Sequence, residues 1–416
     1  MKRREFINKT VQAGTLASMP LSSLYAMVDE SVKKSSSTKS NYDVIVLGVG
    51  SMGSSACYHL AKKGHSVLGI EQFEIPHQQG SHSGQSRIIR KAYFEHPDYV
   101  PLLERAYKNW KSLEQESGIQ LYHKTGLLYF GRSNHLLIKG VKEASKKYNI
   151  PLHNIKSKDY SQFNIPSDYE ALIEPDAGFV TPERSILTHT ELALQNGAQI
   201  NTNEKVIKWS KEGTSIKVKT NKGTYSCKKL VVSAGAWSNI SLPQLKQNLK
   251  VTRQIIAWMI PEKWDDYTMP NFPCWTIADH TNKGIFYGFP ILDTGKFGTP
   301  IGLKLAHHYH GEEYHPDDVD RKLDGTEEEK LISFMNNFLP NARKSTHVMK
   351  SCLYVNTSDE NFIIDHLPEL DNVIFAAGFS GHGFKFASVI GEILADLAIE
   401  GKSDLPIDFL SLNRFN

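Results

Sequence analysis

Between residues 41 and 70 the spacing of apolar positions changes twice, and each change marks a new element. Val44-Ile45-Val46-Leu47 is an unbroken apolar run rich in β-branched residues, the pattern of a strand buried on both faces. From Ser54 to Lys63 the spacing becomes helical, with Ala56, Leu60 and Ala61 on one side, and Gly64 ends the helix. Ser66 to Ile70 reads as a second apolar strand, closed by Glu71. Two more buried strands are predicted far along the chain, at Leu230–Val232 and Val373–Ala377, each running into small residues. After the second, Phe386 to Ile399 carries Val389, Ile390, Ile393, Leu394 and Leu397 along the buried side of a helix. If Ile301–His310 is a strand, its two-residue period puts Lys304, Ala306, His308 and His310 on one face.

The first strand and helix are joined by Gly48-Val49-Gly50-Ser51-Met52-Gly53. In this order Gly48 allows a tight turn, Gly50 lets backbone approach a pyrophosphate, and Gly53 lets helix pack on strand. The helix start at Ser51 and Met52 offers free amides and a partial positive charge to phosphate. Glu71, at the end of the second strand, is placed to accept from ribose hydroxyls. Strand, loop, helix, strand and acid in register are a strong dinucleotide signal, but they do not separate FAD from a nicotinamide cofactor.

The C-terminal pattern makes that separation. Gly235 and the cluster Gly378-Phe379-Ser380-Gly381-His382-Gly383 stand at strand ends, where bare backbone can lie against a flat ring. A helix beginning there aims its positive end at a ring that gathers negative charge on reduction, which favours a flavin. Lys385 sits at that helix start, where its charge opposes the dipole and wants an external anion such as a substrate carboxylate.

These segments resemble the glycine-oxidase and D-amino-acid-oxidase superfamily, and within it the monomeric sarcosine oxidase and N-methyltryptophan oxidase group. The resemblance runs from about Tyr42 to Phe415. It is strongest at Gly80–Arg90, Tyr287-Gly288-Phe289-Pro290, Leu303-Lys304-Leu305, Phe362–Asp365 and Gly378–Phe386. It implies an α/β Rossmann-like FAD domain made of 41–121, 180–250 and 351–416, and an antiparallel-sheet substrate domain made of 122–179 and 251–350.

The resemblance also implies roles for single residues. FAD would be held by Gly48, Gly50, Ser51, Met52, Gly53, Glu71, Arg87, Gly378, Gly381, His382, Gly383 and Lys385, with a thioether from Cys352. Lys304 would stand beside the flavin and assist its reoxidation by O2. His308 matches a histidine near the substrate. Arg90 and Lys385 would share the substrate carboxylate, with Tyr287 and Tyr354 lining the pocket. An ion pair for Arg90 and plain core packing for the two tyrosines remain open alternatives. The stretch Pro273–His280, expected on the amine side of the pocket, departs from the group's pattern and leaves the substrate's identity open.

Composition adds exclusions. Of the 48 Lys/Arg and 45 Asp/Glu, residues 1–40 hold seven basic and three acidic, so the remainder carries 41 against 42. That balance offers no basic face for nucleic acid. No apolar run reaches the length of a membrane span. Cys57, Cys227, Cys274 and Cys352 are far apart, without metal-ligand spacing. His307, His308, His310 and His315 make a poor metal site, because neighbouring strand residues face opposite ways.

The opening Lys2-Arg3-Arg4-Glu5-Phe6-Ile7 and the apolar stretch Val11–Met27 resemble a twin-arginine export signal, with Ala26 as candidate cleavage residue and a disordered linker to residue 40. A basic disordered tail is the alternative. The expected protein is a monomeric oxidase of secondary α-amino acids that uses FAD and O2. A dehydrogenase passing electrons to a quinone or carrier is the nearest rival. A flavin-binding protein without turnover is the other, and it has no use for this whole set of residues.

Overall fold

Strand Asn41–Leu47 lies at the centre of an eight-stranded sheet because no side of it is polar enough to face water; Val44, Ile45 and Val46 are wholly buried. It pairs in parallel with Val67–Ile70 on one edge and Thr224–Val232 on the other. Gln199–Asn201 extends the parallel sheet beyond Val67–Ile70, and Leu370–Ala377 joins it beside Thr224–Val232. The hairpin strands Val206–Glu212 and Ser215–Thr220, and Ile363–Leu367, complete the sheet in antiparallel sense. Helices Ser51–Lys62 and Ala387–Glu400 pack together over one face, so the first and last motifs of the chain meet. The computed structural model describes residues 19–35, 39–245, 249–309, 311–323 and 325–415.

A second eight-stranded sheet runs in the order Ser345–Asn356, Lys250–Ile260, Leu303–His308, Ile285–Phe289, Cys274–Ile277, Leu127–Arg132, Tyr169–Glu174, His153–Asn154. Its pairs are antiparallel except Cys274–Ile277 with Leu127–Arg132, which run parallel, so the expected antiparallel sheet is mixed at its middle. A three-stranded sheet of Arg87–Ile89, Gly178–Val180 and Tyr122–Lys124 stands beside them. Strand Ser345–Asn356 pairs along its length with Lys250–Ile260. The expected boundary at 350/351 therefore cuts through a strand, and Cys352 and Tyr354 belong to the second sheet.

The end of the expected apolar stretch, residues 21–27, and the start of the expected disordered linker, residues 31–34, instead lie in one helix. Leu21–Lys34 is a helix whose Leu24, Val28 and Val32 are buried in the largest apolar cluster. Three apolar residues at i, i+4 and i+8 form one stripe, and burying that stripe stabilises a helix that propensity alone would leave marginal. The twin-arginine-like residues 2–7 lie outside the described residues.

Close packing at the glycine turn sets where the first helix can sit. Gly48 has φ +87°, and a Cβ there would meet the Ser233 carbonyl oxygen at 2.7 Å. A Cβ on Gly53 would fall 1.8 Å from the carbonyl oxygen of Gly48. Gly53→Ala is therefore expected to lower stability by about 1–3 kcal/mol and to reduce the flavin-to-protein absorbance ratio of the purified protein. Thermal melting and the visible spectrum check both.

Candidate active site

One cavity runs between the parallel sheet and the second sheet. One end is backbone-rich: Gly48, Gly50, Ser51 and Met52 at the helix start, Glu71 and Gln72, and the turn Ser233–Trp237. The other end is built from side chains: Ile88, Arg90, Phe94, Glu95, Thr276, Ile285, Tyr287, His308 and Tyr354, facing Gly378–Lys385. Gly53 is not in the wall; it sits behind Gly48 and supplies the close packing.

The glycine end fits a dinucleotide. The Glu71 carboxylate is fixed by the N–H groups of Val49 (2.9 Å) and Phe73 (3.1 Å). Burial pushes its carboxyl up to about 7 against backbone bonds from Val49, Phe73 and Gln72. A diol is a suitable partner for such a group, since hydroxyls can both donate to it and accept from it. His82 adds an independent sign. Its ring lies 3.8 Å from where a Cβ of Gly50 would stand, and its buried Nε2 has no hydrogen-bond partner among the described residues. A buried polar atom without a partner calls for a ligand that supplies one.

The loop Gly80–Ser86 is held by Arg87, whose Nη2 donates to the carbonyls of Ser81 (2.8 Å) and Ser83 (2.6 Å) and whose Nη1 donates to that of Ser86 (2.8 Å). Lys304 stands behind this loop, not in the cavity wall. Its Nζ donates to the carbonyls of Gly84 and Ser86, both at 2.6 Å, and it lies 4.4 Å from the Phe289 ring centroid. Burial pushes the Lys304 ammonium well below the usual lysine range, with repulsion from Arg87 added and Glu183 opposing. Cys352 is likewise behind the wall, 2% exposed. Burial raises its thiol pKa, while Arg87, Lys304 and Arg321 draw it down.

The predicted alternation over Lys304, Ala306 and His308 holds on strand Leu303–His308, while His310 lies outside the described residues. In register, Ala306 is opposite Tyr287, which is opposite Thr276. Tyr287 thus has a methyl and a threonine as its cross-strand neighbours. Of the stretch Pro273–His280, Thr276 alone is in the wall, its hydroxyl donating to the Leu128 carbonyl at 3.1 Å. His308 Nδ1 is 3.3 Å from the Tyr354 hydroxyl. The Tyr354 ring occupies the space of a side chain on Gly381, where φ is +77° and a Cβ would fall 2.2 Å from the ring.

Arg90 is not free. Its Nη2 lies 2.6 Å from both carboxylate oxygens of Glu95, its Nη1 donates to the Ala92 carbonyl, and its guanidinium covers the rings of Tyr93 and Phe94. Sequence reasoning misses Glu95, because an acid five positions after an arginine, with no helical period between, carries no local sign of pairing. Burial pulls the Glu95 carboxyl upward, but Arg90, His382 and Lys385 outweigh it and hold it at about 2. Lys385 donates to the His382 carbonyl at 2.6 Å, and the Trp110 indole N–H holds the Lys385 carbonyl. Burial and then Arg90 bring the Lys385 ammonium down to about 7, Glu95 opposing.

His382 lines the cavity, yet both ring nitrogens face protein: Nδ1 is 2.5 Å from the Tyr93 hydroxyl and Nε2 is 2.9 Å from the Glu360 carbonyl. A neutral ring serves both, Nε2–H donating and Nδ1 accepting, and burial keeps its pKa near 3. Its contribution to a bound ring is then its backbone. With Lys385 protonated, Arg90, Lys385 and Glu95 carry one net positive charge, which one small carboxylate balances.

Comparison with known proteins gives a consistent picture. The family described as FAD dependent oxidoreductase (DAO) matches residues 43–397. A monomeric sarcosine oxidase of Bacillus sp. (strain B-0618) is 37% identical over 383 residues, 90% of this chain and 96% of that protein. An N-methyl-L-tryptophan oxidase of Yersinia pestis (strain Pestoides F) is 34% identical over 386 residues, 90% of this chain and 100% of that protein. Among solved structures, the open form of NikD, an unusual amino acid oxidase, superposes with TM-score 0.78 at 24% identity, covering 90% of this chain and 98% of that one. L-proline dehydrogenase from P. horikoshii gives 0.77 at 22%, covering 91% and 98%. These two show a shared fold.

The Lys385 assignment has a measurable pH consequence. An anion bound beside Lys385 raises the lysine's pKa above its free value of about 7. Affinity for the anion is therefore full below pH 7 and declines as the pH rises above it. Titration of propionate, which has no amine, followed by the flavin spectrum, is expected to show this decline in the native protein and to lose it in Lys385→Met.

Proposed function

The chain belongs to the DAO family of FAD dependent oxidoreductases, and on that premise we propose that it oxidises a small secondary α-amino acid, N-methylated or cyclic. The imine formed hydrolyses to an oxo acid or aldehyde, and O2 leaves as hydrogen peroxide. The observation that carries this reading is the buried group Arg90–Glu95–Lys385 at the side-chain end of the cavity. FAD, when bound, takes two electrons and a proton from the substrate carbon and delivers the electrons to O2.

The residues divide the remaining work. Lys385 and Arg90 bind the carboxylate, Arg90 turning part of its fork from Glu95 to the substrate. Glu95 keeps the arginine oriented before substrate arrives. The net positive charge of this group disfavours a protonated amine beside it, so the amine sits there neutral, with its lone pair available. Tyr287, Tyr354 and His308 wall the substrate against the cofactor end, and Thr276 sets the width beside Tyr287. Gly48, Gly50, Ser51 and Met52 would hold the pyrophosphate, Glu71 the ribose, and Gly378, Gly381 and Gly383 would let backbone lie against the ring.

Lys304 stands behind the flavin-side loop, held by the Gly84 and Ser86 carbonyls, and in its protonated form would favour electron transfer to O2. Cys352, whose thiol burial pushes up against the opposing charges of Arg87, Lys304 and Arg321, would carry a covalent link to the flavin. The chain acting alone as a monomer, and export through a twin-arginine route directed by residues 2–7, complete the proposal. Cell fractionation tests the last point, and recovery of all activity from the cytoplasm would overturn it.

Anaerobic mixing with N-methyl and cyclic amino acids is expected to bleach the flavin. Failure of every such amine to do so would overturn the assignment. Lys304→Met is expected to slow reoxidation by roughly 10²-fold or more, while reduction changes little; stopped-flow traces of the two half-reactions separate them. Acid precipitation of the holoenzyme is expected to give a yellow pellet, and Cys352→Ala a colourless one with the flavin in the supernatant.

A further inference from the structure

The helix Leu21–Lys34 precedes the part of the chain that the family model matches. The family match begins at residue 43, and the sarcosine oxidase and N-methyltryptophan oxidase relatives are covered over 96% and 100% of their length by only 90% of this chain. A segment that merely tethered an export signal would stay polar and unpacked. This one buries Leu24, Val28 and Val32 and rests on helix Pro182–Gln195 and on the short helix Thr294–Phe297.

Arg184 shows how tightly the segment is built in. It is 1% exposed and has no carboxylate partner among the described residues. Its Nη1 donates to the Met19 carbonyl at 2.6 Å and, more weakly, to the Lys296 carbonyl at 3.3 Å. The guanidinium thus clips the N-terminal segment to the Thr294–Phe297 helix. Two residues further on, Leu21 covers Gly298, whose added Cβ would come within 2.9 Å of the Leu21 side chain.

From Gly298 a short path leads to the active site. The Gln85 side-chain amide donates to the carbonyls of Gly298 and, at 2.9 Å, of Pro300. The other end of the same amide accepts from the Trp258 indole N–H at 2.8 Å. Gln85 lies between Gly84 and Ser86, the residues whose carbonyls hold Lys304. Gln85 has φ +70° and Gly84 φ +110°, a turn that needs outside support to persist.

We propose that Met19–Lys34 stays on the mature enzyme and, through Arg184, Gly298 and Gln85, positions the loop that holds Lys304. Its residues are positioning residues, and the proposal rests on the assignment of Lys304 to the oxygen step. Cleavage after Ala26 would remove Met19 and Leu21 together and leave Arg184 buried without its shorter bond.

Two measurements on the full-length holoenzyme test this. Intact mass of the protein recovered from the producing cell is expected to place the N-terminus at or before Met19; a chain beginning at Met27 would overturn the proposal. The second measurement is a double-mutant cycle of Leu21→Ala with Lys304→Met, read as the rate of flavin reoxidation by O2. Leu21→Ala is expected to slow that step about fivefold in the native background, to leave the reductive half-reaction unchanged, and to have no further effect with Lys304→Met.

An equal effect of Leu21→Ala in both backgrounds, or a lower melting temperature with unchanged half-reactions, would mean a structural prop only. If Lys304→Met alone leaves reoxidation unchanged, the oxygen assignment fails, and that result is distinct from an uncoupled cycle. Should Leu21→Ala not yield holoenzyme, Tyr25→Phe, which removes the bond from the Tyr25 hydroxyl to Glu74, loosens the same helix more gently and is read in the same cycle.

Discussion

Removing cations from water without leaving them unpaired is the constraint on which this structure depends. Lys304, Lys385, Arg90 and Arg184 are each at most 5% exposed. An ammonium or guanidinium in such a place costs several kcal/mol unless compensated. Of these four, Arg90 alone has a carboxylate of its own among the described residues. Backbone carbonyls do most of the rest: Gly84 and Ser86 for Lys304, His382 for Lys385, and Met19 and Lys296 for Arg184 Nη1, whose Nε and Nη2 have no partner among the described residues. The partly exposed Arg87 follows the same rule with Ser81, Ser83 and Ser86.

Carbonyl dipoles compensate a charge without cancelling it. The cavity therefore keeps a positive potential, which suits a carboxylate-bearing substrate and a ring that becomes negative on reduction. The carbonyls also have to be held in place, and this explains the irregular backbone around them. Gly84 and Gln85 both lie at positive φ, and their amides are bound by Glu183 on the far side of the loop. Support for the charges thus extends outward to elements that never touch the cavity.

The two sheets share the site unequally. The parallel sheet contributes backbone, through glycine turns at the ends of its strands, and so suits a cofactor recognised by phosphate and ring faces. The second sheet contributes side chains, because three of its strands bring Tyr287, His308 and Tyr354 to the cavity wall. Strand Ser345–Asn356 brings Cys352 and Tyr354 with it, two positions apart on one face. That geometry explains how a thiol and a pocket tyrosine come from the same short run.

Much of this architecture is legible in the amino-acid sequence. The dinucleotide turn, the C-terminal glycine cluster and the alternation at Lys304 and His308 are local: they depend on which residues tolerate positive φ, and on side-chain periods of 2.0 and 3.6. Such properties belong to short stretches of chain, so the sequence by itself determined the strand-turn-helix frame and the types of residue the site contains. Tertiary structure alone decided the partners. Glu95 opposite Arg90, His82 above Gly50, Thr276 beside Tyr287 and Met19 on Arg184 share no local period, since each pairing is made by chain segments that only packing brings together. The helix Leu21–Lys34 belongs to the same class: its weak apolar stripe reads as the end of an export signal and the start of a linker until helix Pro182–Gln195 offers a surface on which to bury it.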